Sequence, residues 1–125
     1  MDTSKEYIKM CEKAVEVQKW RCEVYSKLYC GDFYKGIGGK VRVCVEASKY
    51  LVKGVWLPRQ DQLQNMLDCR DYVFQRWIER LLVKFNNFAI SITTYEPIPS
   101  SMEQLWLVFV MKEKYSKTWN GEGWE

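Results

Sequence analysis

The chain contains no histidine. Without imidazole there is no Ser-His-Asp or Cys-His relay, no histidine-ligated metal, and no side chain that ordinarily titrates near neutrality. Close cysteine pairs are also missing. The 5 cysteines, Cys11, Cys22, Cys30, Cys44 and Cys69, are odd in number and include no C-x-x-C spacing. That argues against a disulfide framework and against structural zinc, and it fits free thiols in a reducing cytoplasm. Long apolar runs are lacking too. The opening Met1-Asp2-Thr3-Ser4-Lys5-Glu6 has no basic stretch leading into an apolar one, and the run from Leu105 to Met111 is far short of the ~20 residues a membrane span needs. The expectation is a cytoplasmic protein with no membrane contact. Internal repeats, low-complexity tracts and linkers are absent as well.

What the chain does contain is enough to fold. Its 125 residues are 47% hydrophobic, 15% aromatic and 28% charged, which supplies apolar surface to offset the entropy of ordering one compact domain over residues 1–125. A net charge of +3 permits contact with phosphate or nucleic acid without demanding it.

Periodicity organises the chain as α+β, three main helices on a small antiparallel sheet. Ile8, Cys11, Val15 and Gln18 recur at helical spacing, which predicts an amphipathic helix from Ser4 or Lys5 to about Trp20. Residues 21–30 fit either a strand or a continued helix. Gly31-Asp32 and Gly36-Ile37-Gly38-Gly39 read as turns around Phe33 and Tyr34, and Lys40 to Glu46 alternates as a strand with Val41, Val43 and Val45 on one face. After a turn near Ala47-Ser48, Tyr50 to Trp56 is its expected partner.

Pro58 suits the first turn of a second helix. That helix carries Leu63, Met66, Leu67, Phe74, Trp77, Ile78, Leu81, Leu82 and Phe85 and is expected to end at Asn86-Asn87, with Ile90 to Thr94 extended beyond it. Ser100-Ser101-Met102-Glu103 matches a capping box, with Glu103 reaching back to the cap N–H. A last helix is expected from there to about Trp119, stopped by Asn120-Gly121. Its segment Leu105 to Met111 is apolar around the whole circumference, so it needs either a central position or burial against a second copy, and the latter makes a homo-oligomer the expectation.

Candidate chemistry is sparse. The glycines before Lys40 fail as a phosphate loop, because glycine is required where Tyr34 stands and Ser or Thr where Val41 stands. Glu12, Glu16, Asp68, Asp71, Glu79, Glu103 and Glu113 sit singly among lysines and arginines, as solvated ion pairs do and catalytic dyads do not. Cys44, opposite the valine face, has no histidine to activate it. No catalytic residue, metal or cofactor is expected, and the chain reads as a non-enzyme.

Trp56-Leu57-Pro58-Arg59-Gln60-Asp61-Gln62 is the most informative stretch. It sets a planar ring, a guanidinium and side-chain amides at a strand-to-helix junction, a chemistry suited to a nucleotide. Trp56, Arg59, Gln60 and Gln62 are the first ligand-binding candidates. Arg76 and Arg80, one turn apart on the second helix, and Lys112 and Tyr115, in a tail that interleaves cations and aromatics, are secondary ones.

The segments Val55 to Gln64 and Ser101 to Tyr115, with Trp119 and Trp124 beyond, resemble a group of small proteins encoded by phages and prophages of Gram-positive bacteria. The likeness covers the C-terminal two thirds and, less closely, the opening helix. It implies a phage accessory protein in the host cytoplasm that works by binding and carries no activity over. Two lines then meet in one expectation, a protein that holds a ligand without transforming it. The most concrete case is counter-defence by sequestration of a nucleotide-like immune signal. An inhibitor or adaptor of a host or phage protein is the alternative, and a nucleic-acid-binding accessory protein is less favoured.

Overall fold

A computed structural model describes residues 1–24, 30–45, 54–67, 73–92 and 97–125. The expected turn near 47–48, the first half of the strand expected at 50–56, the acids Asp68 and Asp71, Cys69, and residues 25–29 and 93–94 lie outside them. Among the described residues no helix is long and apolar enough to cross a membrane.

The chain opens with α1, Lys5–Lys13, capped by Ser4, whose hydroxyl accepts the Tyr7 N–H at 3.1 Å. One helix to Trp20 was expected, but two form. At Ala14 the backbone turns aside with ψ 67, and α2, Val15–Val24, starts afresh. No glycine or proline marks the break. The Cys11 carbonyl, which loses its regular helical donor there, accepts the Ala14 N–H at 3.3 Å and the Gln18 side chain at 3.2 Å, so the backbone group at the break keeps its partners. The buried stripe runs in one phase across the break, one position off the expected one. The buried positions are Tyr7, Met10, Cys11, Ala14 and Val17, whereas Val15, expected inside, is 65% exposed.

The sheet is antiparallel with order β2-β1-β3, built from β1, Phe33–Gly36, β2, Val41–Val43, and β3, Gly54–Leu57. The segment read as turns around Phe33 and Tyr34 is therefore the central strand, pairing Tyr34 with both Arg42 and Trp56. It lies between the two strands expected to pair directly. The expected valine face packs on the core only at Val41, which is half-buried. Val43 and Val45 are 45% and 80% exposed, while Cys44 is buried. Gly54 is required by close approach, since a Cβ there would stand 2.6 Å from the Lys35 carbonyl oxygen.

At the free edge of β3, the Gln18 side chain takes the place of a fourth strand. Its Oε1 accepts the Trp56 N–H and its Nε2 donates to the Trp56 carbonyl, both at 2.9 Å. This paired amide contact closes an otherwise open edge and fixes α2 against the sheet. Trp20 and Arg21 follow on the same helix and are thereby held beside Trp56.

The second helix expected from Pro58 is also divided. α3, Gln60–Asn65, is short, and α4, Phe74–Ser91, runs through Asn86 and Asn87, which face solvent within it and do not end it. Ile90 and Ser91 are helical, not extended. Five helices thus replace the three main ones expected, among the described residues, and the α+β class stands.

α5, Met102–Tyr115, is the central element. Every side chain from Trp106 to Met111 is at most 3% exposed, so a central position accounts for its apolar circumference without a second copy. Burial of each such side chain contributes about 1.5–3 kcal/mol. Phe85 of α4 stacks on Trp106, centroids 4.2 Å apart and planes at 11°, and Phe88 meets Phe109 at 5.0 Å. The helix stops at Ser116, which takes the left-handed conformation, φ 56, four residues before the expected Asn-Gly stop. Beyond it Trp119 and Trp124 form a bridge and anchor on α1, through Trp119 Nε1 to Glu6 at 3.1 Å and Trp124 Nε1 to the Met10 carbonyl at 3.0 Å.

The start of α5 shows a displaced cap. Ser101, not Ser100, caps it by accepting the Gln104 N–H at 3.1 Å. Gln104 reaches back to the Ser100 N–H at 3.0 Å, and Glu103 instead faces the N-terminal ammonium at 3.5 Å.

Candidate ligand-binding site

Where α2, the start of β1 and the β3–α3 junction meet, a pocket of about 230 Å³ opens. Trp20 and Arg21 come from α2, Cys30 and Asp32 precede β1, Trp56 lies in β3, and Arg59, Asp61, Gln62 and Asn65 come from the start and body of α3. Three segments distant in sequence therefore contribute, which is why the edge contact of Gln18 matters: it brings α2 to the sheet.

One wall is a finished lattice of polar contacts. The Arg59 guanidinium donates from Nη1 to the Gly31 carbonyl at 2.8 Å and from Nε and Nη2 to the two Asp61 oxygens at 3.1 and 3.3 Å. Gln62 accepts the Arg59 N–H at 2.9 Å and donates to Asp32 Oδ1 at 2.5 Å. Asp32, only 4% exposed, is further balanced by Arg59 Nη1 at 3.6 Å. Arg59 and Gln62 were expected to grip a ligand. Their side chains are spent first on the protein, holding the 31–32 turn against the start of α3.

The opposite wall is unfinished. Arg21 is 6% exposed, yet its Nε and Nη2 have no hydrogen-bond partner among the described residues, and the Nε1 of Trp56, a residue 3% exposed, has none either. The Arg21 guanidinium carbon lies 5.9 Å from the Trp56 ring centroid, within cation–π range. Trp20 stacks on Trp56 with centroids 6.4 Å apart and planes at 15°. Buried N–H donors are nearly always paired, and leaving one unpaired costs about 1–3 kcal/mol, more for a charged group.

Of the residues expected from sequence, Trp56, Arg59 and Gln62 line this pocket. Gln60 does not, although it begins α3 nearby. Arg76 and Arg80 lie exposed on α4, Lys112 is exposed and Tyr115 half-buried on α5, and none of these four lines the pocket. Trp20, Arg21, Cys30 and Asp32 were missed. A signal for Arg21 existed: the buried positions Ala14 and Val17 continue at helical spacing to 21, so a cation stands where an apolar residue is due. That signal depends on reading α2 in its observed phase.

Cys30 is exposed and its thiol donates to the Val45 carbonyl at 3.3 Å. Cys11 lies in the core, where burial pushes its thiol well up, so it stays protonated and unreactive. No cluster of three or more potential metal ligands occurs among the described residues. No protein-family model, curated protein or solved structure matches the chain.

Proposed function

We propose that this protein acts by binding, and that the pocket between α2, β1 and α3 holds a small ligand combining an anionic group with a flat ring, of the nucleotide type. The observation that carries the reading is the meeting of one buried arginine with unpartnered donors, Arg21, and two indole rings at one pocket. Cations for an anion and aromatic faces for a ring are the two halves of nucleotide recognition. The volume, about 230 Å³, falls below the ~300 Å³ at which pockets for drug-sized ligands begin, which favours a mononucleotide or part of a larger one. Sequestration fits the setting implied by the phage-protein resemblance, where a host immune signal of nucleotide character is the ligand to remove. The test is native mass spectrometry of protein purified from producing cells, with thermal shifts against a panel of mono-, di- and cyclic nucleotides. A retained or added nucleotide mass with a rise in Tm is expected. No adduct together with no shift across the panel defeats the proposal.

A second reading rests on a different surface. Phe74, Leu82, Val83 and Ile90 of α4 are 71%, 57%, 61% and 65% exposed, and apolar exposure of this kind on one helix favours a protein partner or a second copy of the chain. With α5 accounted for inside the fold, self-association draws its support from this helix. Native mass spectra showing a monomer whose Leu82→Glu variant behaves identically would remove the second-copy version.

A further inference from the structure

The unfinished wall of the pocket specifies more than a general affinity for anions. The two unpartnered atoms of Arg21, Nε and Nη2, share one edge of the planar guanidinium, and their N–H bonds run side by side. That edge is the fork which takes two oxygens of one oxyanion at once. Of the other unpartnered donors, the indole N–H groups of Trp77 and Trp106 lie away from the pocket, while Trp56 Nε1 belongs to the ring over which the same guanidinium sits at 5.9 Å. Arg59 cannot play this part, because its Nε, Nη1 and Nη2 are already directed to Asp61 and the Gly31 carbonyl. Salt bridges pair Arg59 with Asp32 and Asp61, while no salt bridge to Arg21 occurs among the described residues. Its charge is therefore the one that a ligand can still neutralise.

We infer that Arg21 and Trp56 form the seat for a terminal phosphate, the guanidinium edge receiving two of its oxygens and the indole N–H the third. This rests on the proposed binding role of the pocket and names the part of the ligand that enters deepest. Three donors match the three terminal oxygens of a phosphate monoester better than the two oxygens of a carboxylate. The donors expose almost no surface in the ligand-free protein, so the seat forms only as the Arg21 guanidinium and the Trp56 indole both turn their N–H groups toward the cavity that they line. Keeping a cation buried and unpaired disfavours the empty state, and binding relieves it.

The experiment follows the two groups by name. In ¹⁵N-labelled full-length protein, the Arg21 Nε–H and Trp56 Nε1–H resonances, identified with Arg21→Lys and Trp56→Phe, are titrated with inorganic phosphate, adenosine monophosphate, acetate and chloride at matched ionic strength. Both resonances are expected to move saturably with phosphate and with the monophosphate, and not with chloride or acetate. Movement with acetate equal to that with phosphate, or no movement with either phosphate, overturns the seat. Arg21→Lys, which keeps the charge and loses the fork, is expected to weaken phosphate binding about tenfold or more, whereas Arg76→Ala on α4 leaves it unchanged. Should folding of the lysine variant be in doubt, Arg21→Met provides the check. Its ligand-free Tm should be no lower than that of the parent, and its phosphate-dependent rise in Tm should vanish. A lower Tm with the full phosphate response retained contradicts the assignment. The two levels separate cleanly: phosphate moving both resonances while no nucleotide binds more tightly than phosphate keeps the seat and removes the nucleotide. A nucleotide that binds Arg21→Lys at full affinity removes the seat alone.

Discussion

Two buried polar clusters in this molecule are settled in opposite ways. At the start of α5, Gln104 is 2% exposed, and both ends of its amide are engaged. Oε1 accepts from the Ser100 N–H and hydroxyl at 3.0 and 3.2 Å, and Nε2 donates to Asp2 Oδ2 at 2.9 Å. The Ser101 hydroxyl donates to the same Asp2 oxygen at 2.6 Å while capping the helix, and Asp2 Oδ1 accepts the Ser4 N–H at 2.8 Å. Beside β3, Arg21 and Trp56 are buried nearly as deeply and leave three N–H donors unmatched. Matched clusters fix a fold, here by tying the chain's start to its central helix. An unmatched one is a standing cost to the fold, and such a cost persists most readily where a ligand removes it.

The contrast can be broken from the matched side first, where the largest effect is expected. Gln104→Leu keeps most of the volume and strips Asp2 and Ser100 of a partner each. Because a buried group left unpaired costs about 1–3 kcal/mol, the variant should lose roughly 2–3 kcal/mol of unfolding free energy, read as an earlier midpoint in urea. A loss under about 0.5 kcal/mol would mean that the cluster is replaceable by apolar packing. The opposite sign is expected on the unmatched side. Arg21→Met removes a buried cation without removing a hydrogen bond from any described partner, so the ligand-free protein should gain about 1 kcal/mol or hold level. The gain is limited by the loss of the contact with the Trp56 ring. Were Arg21→Met to destabilise as much as Gln104→Leu, the two clusters would be equivalent and the pocket would lose its claim to an unmet donor set.

Sequence patterns anticipated the parts of this architecture that local chemistry dictates. The helix beginning near Ser101 follows from two serines ahead of an apolar run, the strand at 41–43 from alternation, and the Trp56–Gln62 junction from Pro58 between a ring and a row of amides. Residues 106–111, having no polar face, required either a central place or a second copy, and sequence alone leaned to the second while the fold provides the first. What stayed illegible depends on approach between distant segments. The break at Ala14 carries no glycine or proline, and it is sustained by Gln18 capping the Cys11 carbonyl and meeting Trp56. Arg59 and Gln62, expected to face a ligand, also hold the turn at Gly31 and Asp32, through Arg59 Nη1 and Gln62 Nε2. Arg76 and Arg80 were grouped by one-turn spacing, which records that two side chains share a helix face and says nothing about where that face lies. Arg21 was lost with the helical phase.

The smallest expected effect separates the clusters by acid. Burial by itself would raise the Asp2 carboxyl, but the hydrogen bonds from Ser101, Ser4 and Gln104 outweigh it and hold the group below its ordinary value of 3.8. Glu16 is held low as well, chiefly by its hydrogen bond from Lys117. A carboxyl whose folded pKa lies below its unfolded one binds more protons when unfolded, so its contribution is complete above the unfolded value. That contribution is lost as pH falls through the folded value. Tm of the parent protein should therefore decline as pH drops from about 5 toward about 2, and Asp2→Asn should flatten part of that decline while lowering Tm slightly at neutrality. Arg21→Met should leave the slope intact, because no carboxylate pairs with Arg21 among the described residues. Parallel acid curves for the parent and Asp2→Asn would show that the hydrogen bonds at the start of α5 do not discriminate carboxylate from carboxylic acid. A flattened curve for Arg21→Met would show instead that the buried arginine answers to a carboxylate of the protein, leaving less of its charge for a phosphate.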